Sequence, residues 1–73
     1  MSSHEIQSEI TGSVWKILKV PGDPVADGDV IMILESMKME IPVISEEGGA
    51  IAEIRVAEGD SVSEGEVVAT LIT

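Results

Sequence analysis

The feature that most narrows what this chain can fold into is an internal repeat. Displaced by 37 positions, the sequence matches itself without a gap. Gly12 meets Gly49, Ile17 meets Ile54, Gly22-Asp23 meets Gly59-Asp60 and Val25 meets Val62, and Gly28, Val30 and Leu34 meet Gly65, Val67 and Leu71. The match extends back through Ser8-Glu9 with Ser45-Glu46 and Ile6 with Val43. Residues 4–36 and 41–73 are therefore two copies of one unit, and only Met37-Lys38-Met39-Glu40 is left over. Neither unit is large enough to bury its own apolar face, so the two are expected to pack around a pseudo-twofold axis as a small sandwich or flattened barrel. Under that symmetry Ser36 corresponds to Thr73 and Ile41 to His4. The 37–40 junction then lies at one pole and both chain ends lie at the other.

The elements of each unit follow from its punctuation. Gly12, Pro21-Gly22, Pro24, Gly28, Pro42, Gly48-Gly49, Gly59 and Gly65 interrupt short runs of Val and Ile. A helix longer than about ten residues would have to contain one of these breakers, each costly in a helix interior. The chain reads as all-β and, at 73 residues, as a single domain spanning 1–73.

Composition removes several classes of function. There is no cysteine, which excludes disulfides, thiol catalysis and cysteine-zinc sites. Fourteen acidic against four basic residues give a formal charge of −10, which repels nucleic-acid phosphates and anionic lipid surfaces. No apolar run approaches the roughly 20 residues of a membrane-spanning helix. The N-terminus lacks the basic and apolar segments of a signal peptide, so a cytoplasmic protein is the default expectation. Asp and Glu are scattered without the spacing of a calcium loop, and no metal site is expected.

The unmatched junction carries the chemistry. If Met37-Lys38 is a two-residue hairpin loop, Ser36 pairs with Met39, Glu35 with Glu40, Leu34 with Ile41 and Met32 with Val43, which turns Leu34 and Ile41 inward. Such a loop needs positive φ at both central residues and normally uses Asn-Gly or Asp-Gly; Met and Lys there cost on the order of 1–3 kcal/mol each. Glu35 opposite Glu40 adds an unfavourable like-charge pair. Several local rules broken at one tip point to function. On residue chemistry alone, an ordinary exposed turn lysine beside solvated glutamates accounts for the tip equally well.

Glu35-Ser36-Met37-Lys38-Met39-Glu40 closely resembles the attachment signature of biotin carboxyl carrier domains, in which the central lysine of Met-Lys-Met carries biotin. Gly12-Ser13-Val14 before the second strand, and turns such as Gly59-Asp60 and Glu64-Gly65, are also similar to the biotinyl/lipoyl family. The resemblance runs from about Ile6 to Thr73. It implies two four-stranded antiparallel sheets forming a flattened barrel, with the modified lysine on a hairpin at one end. Ser36 stands where many members have Ala, and Glu9-Ile10 stands where Pro-Met is usual.

The resemblance further implies a free-standing, non-catalytic carrier. A biotin protein ligase would activate biotin as its adenylate, and the Lys38 amine would attack to form an amide. Lysines in water are almost wholly protonated at neutral pH, so the ligase must assist deprotonation. The carried group would then shuttle a carboxyl between biotin carboxylase and carboxyltransferase sites, tethering replacing bimolecular encounter. Met37 and Met39 would give adaptable apolar contact to these enzymes. Glu35, Ser36 and Glu40 flank the hairpin, and the two glutamates would favour a basic ligase surface or discourage wrong acylating enzymes. Lys16 and Lys19, the competing acceptors, fall in a strand read as Ser13 to Val20. Trp15 reads as a packing or surface anchor and His4 as a solvated residue.

The nearest rival is a lipoyl carrier, with lipoic acid placed on the same Lys38 by lipoyl-attachment enzymes; Met on both sides of the lysine favours biotin over the Asp-Lys-Ala common at lipoyl sites. An acyl carrier protein would require a helical bundle and Asp-Ser-Leu, for which Asp60-Ser61-Val62 is a poor substitute. An unmodified adaptor using the same barrel is a third possibility. An autonomous enzyme is disfavoured by the lack of any paired catalytic constellation.

Overall fold

The computed structural model describes residues 2–73; Met1, the first residue of the expected domain span, lies outside the described residues. Eight strands follow one another: β1 Ser3–Gln7, β2 Gly12–Ile17, β3 Pro24–Val25, β4 Val30–Ser36, β5 Met39–Ile44, β6 Gly49–Ile54, β7 Ser61–Val62 and β8 Val67–Ile72. There is no helix among the described residues. The strands form two antiparallel four-stranded sheets, ordered β1-β8-β6-β3 and β5-β4-β2-β7. A 37-residue shift converts each order into the other, so the pseudo-twofold exchanges the sheets. The two sheets stay as separate ladders and do not close into one barrel; the sandwich form of the expectation holds.

The repeat reaches down to individual bonds. Gly22 N–H donates to Ile51 O, and its counterpart Gly59 N–H donates to Val14 O, both at 2.8 Å. These two glycines cross between the sheets with φ of 95° and 94°, a backbone region open to glycine at no steric cost. In each of these turns an aspartate closes the loop: Asp23 Oδ2 accepts from Val20 N–H and Asp60 Oδ2 from Ala57 N–H. Ser8 and Ser45 are buried, and each hydroxyl donates to a carbonyl two residues on, that of Ile10 and of Glu47 respectively. No buried side-chain polar atom among the described residues lacks a partner, as a small core requires.

The core consists almost entirely of equivalent pairs: Val14 with Ile51, Val25 with Val62, Ile31 with Val68, Met32 with Ala69 and Leu34 with Leu71. It lies between the two sheets, and Val43 completes it from β5. Apolar burial in so short a chain is the main stabilising term.

One strand is shorter than expected. β2 ends at Ile17 and not at Val20. Leu18 still donates its N–H to Ile31 O, but Val20 directs its N–H to Asp23 Oδ2, so the turn captures residues whose composition suits a strand. Lys19 therefore lies outside β2, while Lys16 lies within it. β2 also carries a β-bulge, because its register to β4 passes from Val14↔Leu34 to Lys16↔Ile33 and leaves Trp15 as the extra residue.

Candidate functional site

The hairpin between β4 and β5 has the expected register. Ser36 faces Met39, Glu35 faces Glu40, Leu34 faces Ile41 and Met32 faces Val43. Leu34 is fully buried and Ile41 half-buried, which fixes which face of the hairpin turns inward. The two loop residues have φ of 51° at Met37 and 67° at Lys38, the only positive values at non-glycine residues among those described. Consecutive positive φ is what a two-residue loop needs to match the right-handed twist of its strands. It costs roughly 1–2 kcal/mol per residue when neither is glycine.

The sequence could have avoided that cost with Asn-Gly. Instead it places one long amine and one thioether at the tip, where Met37 is 93% exposed, Met39 63% exposed and Lys38 exposed. Lys38 forms no ion pair among the described residues. Glu35 and Glu40 form the second rung below the loop, after Ser36 and Met39, and both are exposed.

The base of the hairpin is held by the first turn of the chain. Ser36 Oγ donates to Thr11 O at 3.1 Å, and Thr11 Oγ1 accepts from Glu64 N–H, also at 3.1 Å. A side chain at Gly12 would collide with the Glu35 carbonyl, so the absent Cβ lets β2 lie against the end of β4. Thus Ser36 acts as a tether where alanine could not, and Gly12 sets the approach.

The other pole is built by the same rules without a hairpin. Gly49 stands to the Ile72 carbonyl as Gly12 stands to that of Glu35. Ser2 and Thr73 exchange backbone hydrogen bonds. His4 Nδ1 lies 3.2 Å from Glu47 Oε1, beyond the end of β5 remote from the loop, and Nε2 lies 3.3 Å from Thr73 Oγ1. His4 is thus half-buried and partnered, a correction to its reading as a merely solvated residue; the repeat places it opposite the β8 residue Leu71, where neighbours converge.

The competing amines are differently placed. Lys16 sits within the β2–β4 ladder opposite Ile33, and Lys19 Nζ lies 3.9 Å from Asp29 Oδ2. Trp15 is 45% exposed, a surface residue and not a core anchor. A groove of about 690 Å³ runs between β1 and β5, lined by Glu5, Glu9, Asp27, Glu46, Glu47 and Glu64 among others, but not by the tip residues. No cluster of His, Asp and Glu among the described residues could hold a metal. The site offers an exposed amine on a defined projection, free of any ion pair among the described residues. Sequence reading passed over the exposed Leu18, Val20 and Ile44. The available signal was the difference between the two copies at outward positions.

Comparisons with known proteins bear on the chain as a whole. A family model described as biotin-requiring enzyme matches residues 2–71. The biotin/lipoyl attachment protein of Bacillus subtilis is 39% identical over 66 residues, covering 90% of each chain. A homolog of biotinylated protein TB7.3 from Mycobacterium leprae is 36% identical over 69 residues, covering 94% of this chain and 97% of that one. Among solved structures, the urea carboxylase of Kluyveromyces lactis superimposes with a TM-score of 0.93 at 35% identity, over 99% of this chain and 6% of that one.

Proposed function

The chain belongs to the biotinyl/lipoyl attachment family, and from that membership we propose that it is a biotin carrier whose covalent attachment point is the Nζ of Lys38. Biotin would be held there as an amide and, when bound, supplies a ureido ring that can accept and release a carboxyl group. The chain's own part is presentation. Met37 and Met39 give an attaching or carboxylating enzyme a polarisable apolar surface on either side of the amine. Glu35 and Glu40 give that enzyme a negative rung to recognise. Ser36 and Gly12 fix the hairpin base against the first turn.

The observation that carries this reading is the pair of left-handed residues Met37 and Lys38. A strained loop is retained where Asn-Gly would fold better, and one of its two exposed residues is a lysine. The family is one of attachment modules, which supports a carrier and not a catalyst. Its partners are then a biotin protein ligase and the biotin carboxylase and carboxyltransferase subunits of a biotin-dependent carboxylase, in keeping with the urea carboxylase likeness.

The test is intact mass and avidin blotting of native protein beside a Lys38→Arg variant. The native chain is expected to carry one biotin and the variant none. Biotin retained by the variant overturns the assignment. A lipoyl increment on Lys38 in place of biotin moves the protein to oxoacid acyl transfer, the second reading favoured by the Bacillus subtilis relative's name.

A further inference from the structure

The internal repeat supplies its own control for surface residues. Both copies build the same strands, turns and core, so an outward position that differs in kind between copies is not set by the fold. Six of the seven large apolar side chains that are exposed lie on the β5-β4-β2-β7 side or its turns: Trp15, Leu18, Val20, Met37, Met39 and Ile44. Their counterparts 37 residues away are small, polar or charged wherever the copies overlap. Trp15 stands against Ala52, Leu18 against Arg55, Val20 against Ala57 and Ile44 against Gln7. Two neighbours follow the same trend, Ile33 against Thr70 and Pro42 against Glu5. The exception is Glu35, whose counterpart is the exposed Ile72.

Most of these positions adjoin one another, and Leu18, whose N–H donates to Ile31 O, follows β2 beside β4. Lys16, Ile33 and Pro42 form one cross-strand row, Trp15 is the bulge residue next to Lys16, and Ile44 pairs with Val30 one step further from the tip. Ile33 lies between the buried Met32 and Leu34, which directs it outward. Charge also separates the copies. Lys16 stands where the second copy has Glu53 and forms no ion pair among the described residues, whereas Lys19 is paired with Asp29.

We infer that the outer face of the β5-β4-β2-β7 sheet is a docking surface for the biotin carboxylase subunit of a biotin-dependent carboxylase, through an apolar patch on that subunit with a carboxylate placed to meet Lys16. The identity of the subunit rests on Lys38 being the biotin site. The apolar centre, with Lys16 in its row, calls for a partner with the complementary arrangement. The face is continuous with the hairpin, since β4 and β5 form both; three rungs, Leu34–Ile41, Glu35–Glu40 and Ser36–Met39, separate the row of Ile33 and Pro42 from the loop. A subunit that receives the tip can therefore hold the carrier by its side at the same time. A second copy of the chain is disfavoured as occupant by the net charge both copies share.

The repeat also supplies the substitutions, because each replacement already occupies the equivalent place in this fold. Full-length chain bearing Lys38→Arg, which removes the carried group from the measurement, is titrated calorimetrically into a purified biotin carboxylase subunit. The parent is expected to bind, and Trp15→Ala with Leu18→Arg and Ile44→Gln to weaken binding about tenfold or more, the size expected of a few buried anchors. Added salt is expected to weaken it further through Lys16. Arg55→Leu on the opposite sheet is expected to leave the affinity within about twofold. Circular dichroism and thermal melting check that every variant keeps the parent's fold. Absence of binding by the parent, an unchanged affinity in the triple variant, or an equal loss in Arg55→Leu overturns the inference. So does a concentration-dependent oligomer of the chain alone, seen by light scattering and abolished by the triple substitution, since the face would then serve self-association. Failure of the Lys38 assignment is read separately, from the mass of the native protein.

Discussion

At the scale of single residues, the account turns on Met37 and Lys38. Both the register of their hairpin and their left-handed conformation accord with the sequence once the repeat isolates residues 37–40, because the type I′ turn favoured by two-residue loops takes positive φ at both central residues. Replacing Met37 by Asn and Lys38 by Gly should therefore stabilise the chain by about 1–2 kcal/mol, as the left-handed penalty is relieved. Urea denaturation measures the gain, and the same variant should accept no biotin. A variant less stable than the parent would mean that the loop is not strained. What the sequence did not disclose is the environment of the flanking residues. The hydrogen bond from Ser36 to Thr11 and the pairing of His4 with Glu47 join residues far apart in the chain. No local pattern marks such partners.

At the scale of elements, Gly12 and Gly49 perform one task twice. Each lets a strand pass against a carbonyl, of Glu35 in one copy and of Ile72 in the other. Gly12→Ala and Gly49→Ala should each destabilise by about 1–3 kcal/mol, the range for overpacking a site that cannot yield, and by similar amounts. Thermal melts compare them. Only Gly12→Ala touches the hairpin base, so it alone should slow ligase-catalysed loading of Lys38, measured as initial rate in folded protein. Strand identity was legible from Gly and Pro punctuation, and β2 and β6 occupy positions related by the repeat. The end of β2 was not legible. Leu18, Lys19 and Val20 have the composition of a strand, and it is the Asp23 carboxylate that takes the Val20 N–H into a turn. The bulge at Trp15 was equally hidden, since an extra residue in one strand becomes visible only against its partner.

At the scale of the whole molecule, the pseudo-twofold makes stability nearly symmetric while function is concentrated at one pole. Leu34 and Leu71 are equivalent and both fully buried, so Leu34→Ala and Leu71→Ala should each cost about 2–5 kcal/mol. For a chain of 73 residues the total is on the order of 4–11 kcal/mol, so either change brings it close to unfolding, as a shift in urea midpoint will register. The overall arrangement could be derived from the sequence because the repeat, unlike propensity, ties distant segments together. The asymmetric outer face was hidden for the same reason: attention to what the copies share obscures where they differ. The central claim is that one amine, and no other, is offered to an attaching enzyme. Peptide-level mass spectrometry of the chain co-expressed with an active biotin protein ligase tests it most directly, with Lys38 expected to carry the biotin and Lys16 and Lys19 to remain free. Biotin on Lys16 or Lys19, or a bare Lys38 in folded protein beside a ligase that modifies another acceptor, would contradict it.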